Sequence, residues 1–136
     1  MRKSLASLVI VVGVAAASSP LHAHHAFAAE FDARRPISFK GTVSKVEWVN
    51  PHVWIHVDVK KPDGTKEAWA IEGGTPNVLF RRGVTKQSLK AGVEVSIDGY
   101  RAKDGTRRAN GRDLTLTSGQ KLFLGSSGTG APYEIK

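Results

Sequence analysis

The segment from His52 to Val59 alternates strictly between apolar and other side chains, and this pattern constrains the fold more than any other in the chain. Its apolar positions are Val53, Ile55, Val57 and Val59. The intervening positions are His52, Trp54, His56 and Asp58. Successive side chains of a strand point to opposite faces, so a period of two predicts a strand with one buried face. We expect the first set to face the core and the second set to face away from it.

A longer strand is predicted before this segment, over residues 37–49. Its apolar positions shift phase between Val43 and Val46. A phase shift within one strand indicates a β-bulge, which allows the strand to bend. Asn50 and Pro51 then interrupt the chain before the alternating strand begins.

Further elements follow at regular intervals. Strands are predicted over residues 66–73 and 93–101, and a last strand or hairpin over residues 113–123. Between the third and fourth strands, Thr75 and Pro76 suit the first positions of a short helix, which Gly83 ends. A helix at this point in a five-stranded antiparallel barrel is the layout of the OB-fold. We therefore predict an all-β fold with one short helix and an OB-like barrel.

The predicted domain organisation has four parts. Residues 1–23 form a signal peptide, residues 24–36 an N-terminal arm, residues 37–124 the OB-like domain and residues 125–136 a flexible, glycine-rich tail. The signal peptide has a basic start, an apolar stretch from Leu5 to Ala17 and a small residue at Ala23. That stretch is shorter than the roughly 20 residues of a membrane span. We expect cleavage after Ala23, with Ala17 and Ala26 as alternatives, and a soluble periplasmic or secreted product.

Composition narrows the possible chemistry. The chain has no cysteine, which excludes disulfides, thiolate metal sites and a cysteine nucleophile. Its formal net charge is +8, but the excess basic residues are scattered in short pairs along the chain. A scattered excess favours solubility over a nucleic-acid surface, and we expect no nucleic-acid partner.

Four segments carry a family resemblance. They are HHAFAAEFD (24–32), GTVSKVEWVNPHVWI (41–55), WAIEGGTPNVLFRRG (69–83) and GYRAKDGTRRANGR (99–112). Together they resemble an uncharacterised family of small exported bacterial proteins with a domain of unknown function. The resemblance implies export and a single β domain. It implies no activity, catalytic residue or ligand.

The N-terminal histidines are candidate metal ligands. If cleavage follows Ala23, His24 offers an α-amine and an imidazole, and His25 follows directly. Nitrogen ligands of this kind suit copper(II) or nickel(II), with copper at the top of the affinity order. Cleavage one residue earlier would leave histidine third, which also chelates copper. The alternative is that both histidines form an accessible, mobile start of the chain.

Two more histidines, His52 and His56, complete the set of candidate ligands. They fall on one face of the second strand, but their Cα atoms would lie about 13 Å apart on a straight strand. That is too far for an ordinary shared metal site. The alternatives are a loop histidine held by the Asn50–Pro51 turn and a surface histidine beside a neighbouring strand.

Trp54 is predicted to face outward between these histidines. Large apolar groups on a surface often mark a binding region, and OB-folds commonly bind on the sheet of their first three strands. We assign Trp54, Asp58 and Glu72 to a candidate ligand or partner surface. The alternative is that the N-terminal arm covers Trp54 through Phe27 or Phe31.

No motif for catalysis is present: the chain lacks a nucleophile elbow, a phosphate loop and an HExxH sequence. We therefore assign no catalytic residue. The sequence predicts an exported non-catalytic binding protein that has no identified ligand, with a copper-type metal on the N-terminal histidines as the candidate. The alternative is an interaction module that docks on an exported protein or envelope component through the Trp54 face. A third, weaker hypothesis is an enzyme that uses a histidine-bound metal.

Overall fold

Six strands and a short α-helix make up most of the computed structural model, which describes residues 27–126 and 129–134, and residues 27–30 are also helical. The strands are β1 (Phe31–Glu47), β2 (Trp54–Lys60), β3 (Lys66–Glu72), β4 (Glu94–Ala102), β5 (Arg108–Leu116) and β6 (Lys121–Phe123). Helix α1 (Pro76–Arg81) lies between β3 and β4, and a 3₁₀ helix (Pro132–Glu134) follows β6. The predicted signal peptide and its cleavage points lie outside the described residues.

The first five strands form a closed ring. Strand β1 pairs with β2 on one side and with β4 on the other, β2 pairs with β3, and β4 pairs with β5. A parallel pair of β3 and β5 closes the ring. The predicted all-β class and OB-like layout are confirmed. The closing pair departs from an all-antiparallel arrangement because α1 and β4 carry the chain across the ring between β3 and β5.

The core fills the inside of this ring, and the predicted register of β2 is confirmed. Val53, Ile55 and Val57 are completely buried, and Val59 packs partly buried against the same cluster. His52, Trp54, His56 and Asp58 are each only half-buried. Inward residues of every strand of the ring, together with Leu79 of α1, complete one apolar cluster.

The predicted bulge in β1 is present. The register of β1 against β2 shifts between Val43 and Lys45. Near this point a side chain at Gly41 would collide with the Val57 side chain and come within 2.7 Å of the Asp58 carbonyl oxygen. A residue without a Cβ is required where two backbones approach so closely. Gly41 and the bulge therefore allow one long strand to pair on both of its edges.

Helix α1 begins and ends as predicted. The Thr75 side chain accepts a hydrogen bond from the Val78 N–H, Pro76 occupies the first helical position, and Gly83 follows the helix with a φ of 86°. Fewer residues of the helix are buried than its apolar run of Val78, Leu79 and Phe80 suggests. Leu79 is completely buried, whereas Phe80 is 40% exposed and stacks on Trp48.

Both predicted ends of the domain differ from the structure. Strand β1 begins at Phe31, within the predicted arm, because Phe31 already pairs with Ala102 of β4. In the predicted tail, Ala131 is completely buried and Tyr133 packs against Phe123. The segment is rich in glycine and serine, and this composition predicts a flexible tail. It gives no indication that Ala131 and Tyr133 pack against the folded domain. Among the described residues, no helix has the length and apolar character needed to span a membrane.

Candidate functional site

One row of side chains crosses the outside of the ring from strand to strand. Each member pairs directly with the next, and we call this set the outer row. Its members are Tyr100 (β4), Asn110 (β5), Glu72 (β3) and Trp54 (β2). Directly paired residues present their side chains on the same face of a sheet, so the row forms a continuous strip.

Glu72 is the buried charge of the outer row. Only 8% of its surface is exposed, although it lies on the outer side of β3. Its carboxylate accepts a hydrogen bond from the Asn110 amide at 3.4 Å, and Asn110 is itself 3% exposed. Burial raises the pKa of Glu72 above its usual value, although the charges of His52 and Arg108 act in the opposite direction. Glu72, which the sequence assigns to a candidate ligand or partner surface, is therefore almost completely buried in the described structure.

His52 lies beside Glu72, in the loop that joins β1 to β2. Its Nδ1 atom is 3.0 Å from the Gly73 carbonyl oxygen and 3.7 Å from Glu72 Oε1. A carbonyl oxygen can only accept a hydrogen bond, so Nδ1 carries the proton. In the neutral ring the lone pair then lies on Nε2. His52 is therefore a loop histidine, as one alternative predicted, and it is held by Gly73 across the loop.

The C-terminal segment closes over this cluster. The Tyr133 hydroxyl donates a hydrogen bond to Asn110 Oδ1 at 3.0 Å, and the Tyr133 ring stacks against Tyr100. Burial also raises the pKa of Tyr133. A connected chain of polar groups therefore runs from Tyr133 through Asn110 and Glu72 to His52.

The start of the described chain is anchored at the Tyr100 end of the outer row. Phe27 is 4% exposed, and its ring lies 5.6 Å from the Tyr100 ring in an edge-to-face arrangement. Its N–H donates a hydrogen bond to the Thr129 carbonyl oxygen. Phe27 and Phe31 therefore pack against each other and against Tyr100. This is not the predicted alternative in which they cover Trp54. His24 and His25 lie outside the described residues.

His56 has separate surroundings. Its Nε2 atom is 2.7 Å from Glu47 Oε2, and Lys45 contacts the other oxygen of the same carboxylate at 2.8 Å. Hydrogen bonds from Lys45 and then His56 lower the pKa of Glu47. His52 and His56 thus contact different carboxylates. No group of three or more histidine and acidic side chains within the described ranges could hold a metal ion.

Trp54 and Asp58 also have different surroundings, although both face outward on β2. Trp54 is half-buried and paired between Glu47 and Glu72. Asp58 lines a separate open cleft of about 610 Å³ with Lys40, Lys60 and Glu94. The three predicted surface residues therefore do not form one site: Trp54 and Glu72 are neighbours, and Asp58 lies further along the strand.

Sequence reasoning missed two features. Asn110 and Tyr133 had no signal of their own, because a single amide and a tyrosine in a glycine-rich tail are ordinary in sequence. The second feature is an apolar patch in which Trp48 stacks on Phe80 beside Val49, which is 50% exposed. Trp48 and Val49 end the predicted first strand, so the exposure of Val49 and the stacking of Trp48 on Phe80 are evident only from the position of the loop after β1.

These features define a small all-β protein with an OB-like ring and a covered polar row on its outer face. The chain belongs to a family of unknown function, DUF6152, whose model matches residues 10–111. This confirms the resemblance to an uncharacterised family. A search of curated proteins gave no match.

Proposed function

We propose that this protein is an exported, non-catalytic binding protein whose N-terminal histidines hold a copper-type metal ion. The observation that carries the proposal is the anchored position of Phe27, which lies two residues after His25. A buried ring and a backbone hydrogen bond to Thr129 hold Phe27 against the ring of strands. The described chain therefore begins at a fixed point on the ring, two residues after His25 in the sequence.

Cleavage of the signal peptide during export would determine which metal ligands the N-terminus offers. Cleavage after Ala23 would make His24 the first residue, with its α-amine and imidazole close together. Two nitrogen ligands on one residue reduce the entropy lost when ligands gather around a metal. Imidazole and amine nitrogens both rank copper(II) above other divalent ions of the first transition row. The absence of cysteine leaves nitrogen and oxygen as the ligands available.

The test compares two forms of the exported protein. One form has its native start, established by intact mass, and the other carries extra residues that convert the α-amine into a peptide bond. We expect the native form to bind copper(II) more tightly, and both to bind more weakly below a pH of about 6.5, where histidine becomes protonated. Equal affinity of the two forms would eliminate the amine chelate. Retention of residues 1–23 in the exported product would contradict both export processing and the chelate.

A second candidate is docking on another exported protein or an envelope component through the Trp54 face. It is favoured by the outward, half-buried position of Trp54 in the outer row. On this hypothesis Trp54→Ala lowers the yield of a defined cross-linked partner from the periplasm, and metal-free protein keeps the interaction. Trp48→Ala is the control, because Trp48 lies in the separate patch with Phe80. Equal yields from both variants would contradict docking through Trp54.

A further inference from the structure

We propose that one edge of β1, from Pro36 to Lys40, binds an extended acidic segment of another protein as an added β-strand. We call this segment the β1 edge. Exposed sheet edges commonly bind extended peptides in this way, with main-chain hydrogen bonds giving affinity and alternate side chains giving specificity. The β1 edge is separate from the Trp54 face and from the N-terminal histidines, and binding there is independent of the function proposed above.

The β1 edge has no strand partner among the residues that the structure describes. Strand β1 pairs with β4 at every residue from Pro36 to Thr42, but its pairing with β2 begins only at Thr42. An open cleft of about 610 Å³, lined in part by Lys40, Thr42 and Lys60, lies where β1 and β2 separate. The side of β1 that faces away from β4 is therefore unpaired in this segment.

Ser38 and Lys40 direct their backbone groups to the unpaired side. The Val43 N–H donates to the carbonyl oxygen of Val93, which directly precedes β4, so Val43 faces β4. Hydrogen-bonded and non-hydrogen-bonded pairs alternate along an antiparallel ladder, and the β1–β4 register has no shift over the β1 edge. Counting back from Val43, the N–H and C=O groups of Ser38 and Lys40 therefore point away from β4. Pro36 has no N–H and offers only its C=O.

The inward side chains of the β1 edge are incompletely covered. Ile37 and Phe39 are only half-buried, although Phe39 packs on Trp69 of β3 with ring centroids 5.0 Å apart. The inward residues Ile55 of β2 and Ile97 of β4 are completely buried, because each has a strand on both sides. An added strand with apolar side chains at every second position would cover the exposed parts of Ile37 and Phe39.

A row of lysines crosses the outer face from the β1 edge to β3. It consists of Lys40 on β1, Lys60 on β2 and Lys66 on β3, and the last two pair directly. Like charges directly opposite each other on a sheet are destabilising. Within the described ranges, no acidic side chain forms a salt bridge with any of these lysines. Residues 33–46 also contain four basic residues and no acidic residue, so an acidic partner would supply the missing negative charge.

The composition of the β1 edge disfavours a second copy of this chain as the added strand. Proline and lysine on an edge strand are common means of preventing self-pairing. A second β1 would bring the same basic side chains together, and Pro36 would again lack a donor. An acidic segment reverses the sign of this interaction, because its side chains would lie between Lys40 and Lys60.

Two acidic residues of the cleft limit the register of the added strand. Asp58 of β2 and Glu94 of β4 both pair with Thr42, two residues beyond Lys40. They would repel an acidic side chain at that level, so the acidic side chains of the partner lie beside Lys40 and Lys60. The partner segment therefore alternates between acidic side chains that face outward and apolar side chains that face inward.

Amide hydrogen exchange of the unmodified protein, followed by NMR, tests the β1 edge without any partner. We expect the amides of Ser38 and Lys40 to exchange rapidly, and those of Phe39 and Gly41, which donate to β4, to be protected. Strong protection of Ser38 and Lys40 would overturn the proposal, because the edge would already be covered. Protection that appears only at high protein concentration would identify a second copy as the occupant and would also overturn it.

The second experiment uses a synthetic peptide of about six residues, the usual length of a strand, with alternating glutamate and valine and blocked ends. We expect it to slow amide exchange at Ser38 and Lys40, and a peptide with lysine in place of glutamate not to bind. Two further peptides are methylated at the glutamate nitrogens or at the valine nitrogens. Only one of them should lose binding, because a strand uses the N–H groups of alternate residues on each edge. Binding of both would show charge attraction without strand addition and would overturn the proposal.

Variants of the protein test the side chains and the backbone separately. We expect Lys40→Glu and Lys60→Glu each to lower the affinity for the glutamate–valine peptide about fivefold. Lys86→Glu is the control, because it makes the same charge change at an exposed lysine between α1 and β4. Equal affinities of the three variants would overturn the proposal, whether or not the next variant folds. Ser38→Pro removes a donor only from the unpaired side, so it should fold and lose peptide binding. Undiminished binding by folded Ser38→Pro protein would equally overturn the proposal.

Discussion

Glu72 is a carboxylate that the fold removes from water. It lies on the outer face of β3 and is 8% exposed, with Asn110 of the neighbouring strand β5 donating to it and Tyr133 of the C-terminal segment donating in turn to Asn110. Burial without a full countercharge disfavours the ionised form. His52 and Arg108 offset part of this effect, and Glu30 adds to it. In sequence, Glu72 resembles an ordinary surface acid. In the structure its burial makes its ionisation unfavourable, so its protonation state affects the stability of the fold.

The raised pKa of Glu72 predicts how stability varies with pH. The folded protein keeps a proton on Glu72 at pH values where the unfolded chain has released it, so stability is lost as the pH rises through the folded pKa. Glu72→Gln removes this titration. We expect the variant to become more stable relative to the unmodified protein as the pH rises from about 4 to 7. Urea unfolding of metal-free protein measures the difference, and a difference that stays constant with pH would contradict the prediction.

The alternating pattern of β2 predicts different costs for neighbouring residues. Ile55 is completely buried in the ring, whereas His56 faces outward. We expect Ile55→Ala to reduce the free energy of unfolding by about 2–5 kcal/mol, because it removes packed methyl groups and leaves a cavity. His56→Ala should reduce it much less. Denaturant titration at one pH compares the two variants, and similar losses would show that the assigned faces are incorrect.

At the scale of elements, β1 controls closure of the ring. It is 17 residues long and pairs with both β2 and β4. A straight strand of that length cannot follow both neighbours, so the bulge after Val43 and the close approach at Gly41 are required.

Gly41→Ala tests this requirement. The added methyl group would collide with Val57 and crowd the Asp58 backbone, which cannot move without disturbing the β1–β2 pairing. We expect a loss of about 1–3 kcal/mol in the free energy of unfolding, the usual range for overpacking. Ser38→Ala is the control, because Ser38 is exposed on the same strand. If both variants lost the same free energy of unfolding, the cause would be alanine in a strand and not the close approach of the two backbones at Gly41.

At the scale of the whole molecule, the two ends of the described chain meet over the outer row. Phe27 donates to the Thr129 carbonyl oxygen, and Ala131 is buried in the same cluster as Phe27 and Phe31. The C-terminal segment therefore holds the beginning of the chain as well as Asn110.

Ending the chain at Ser126 should release that contact. We expect faster amide hydrogen exchange at residues 27–31, because the truncated protein lacks both the acceptor of the Phe27 N–H and the packing of Ala131. Exchange in β2, which is buried in the ring, should change little. Hydrogen–deuterium exchange with mass spectrometry measures both regions in one experiment. Unchanged protection at residues 27–31 would contradict a role for the C-terminal segment.

The sequence by itself determined the local features of this protein. Alternation placed Ile55 inside and Trp54 outside, the phase shift located the bulge after Val43, and Thr75–Pro76 located the start of α1. Each of these depends on residues within a few positions of one another, where periodicity and capping act.

Only the tertiary structure decided what covers the outer face. Glu72 and Asn110 are 38 residues apart, and Asn110 and Tyr133 are 23 apart, so no local pattern joins them. Alternation shows which side chains leave the core, but it carries no information about the segment that packs over them afterwards. The parallel pair of β3 and β5 brings Glu72 beside Asn110, and the return of the C-terminal segment then brings the Tyr133 hydroxyl to Asn110.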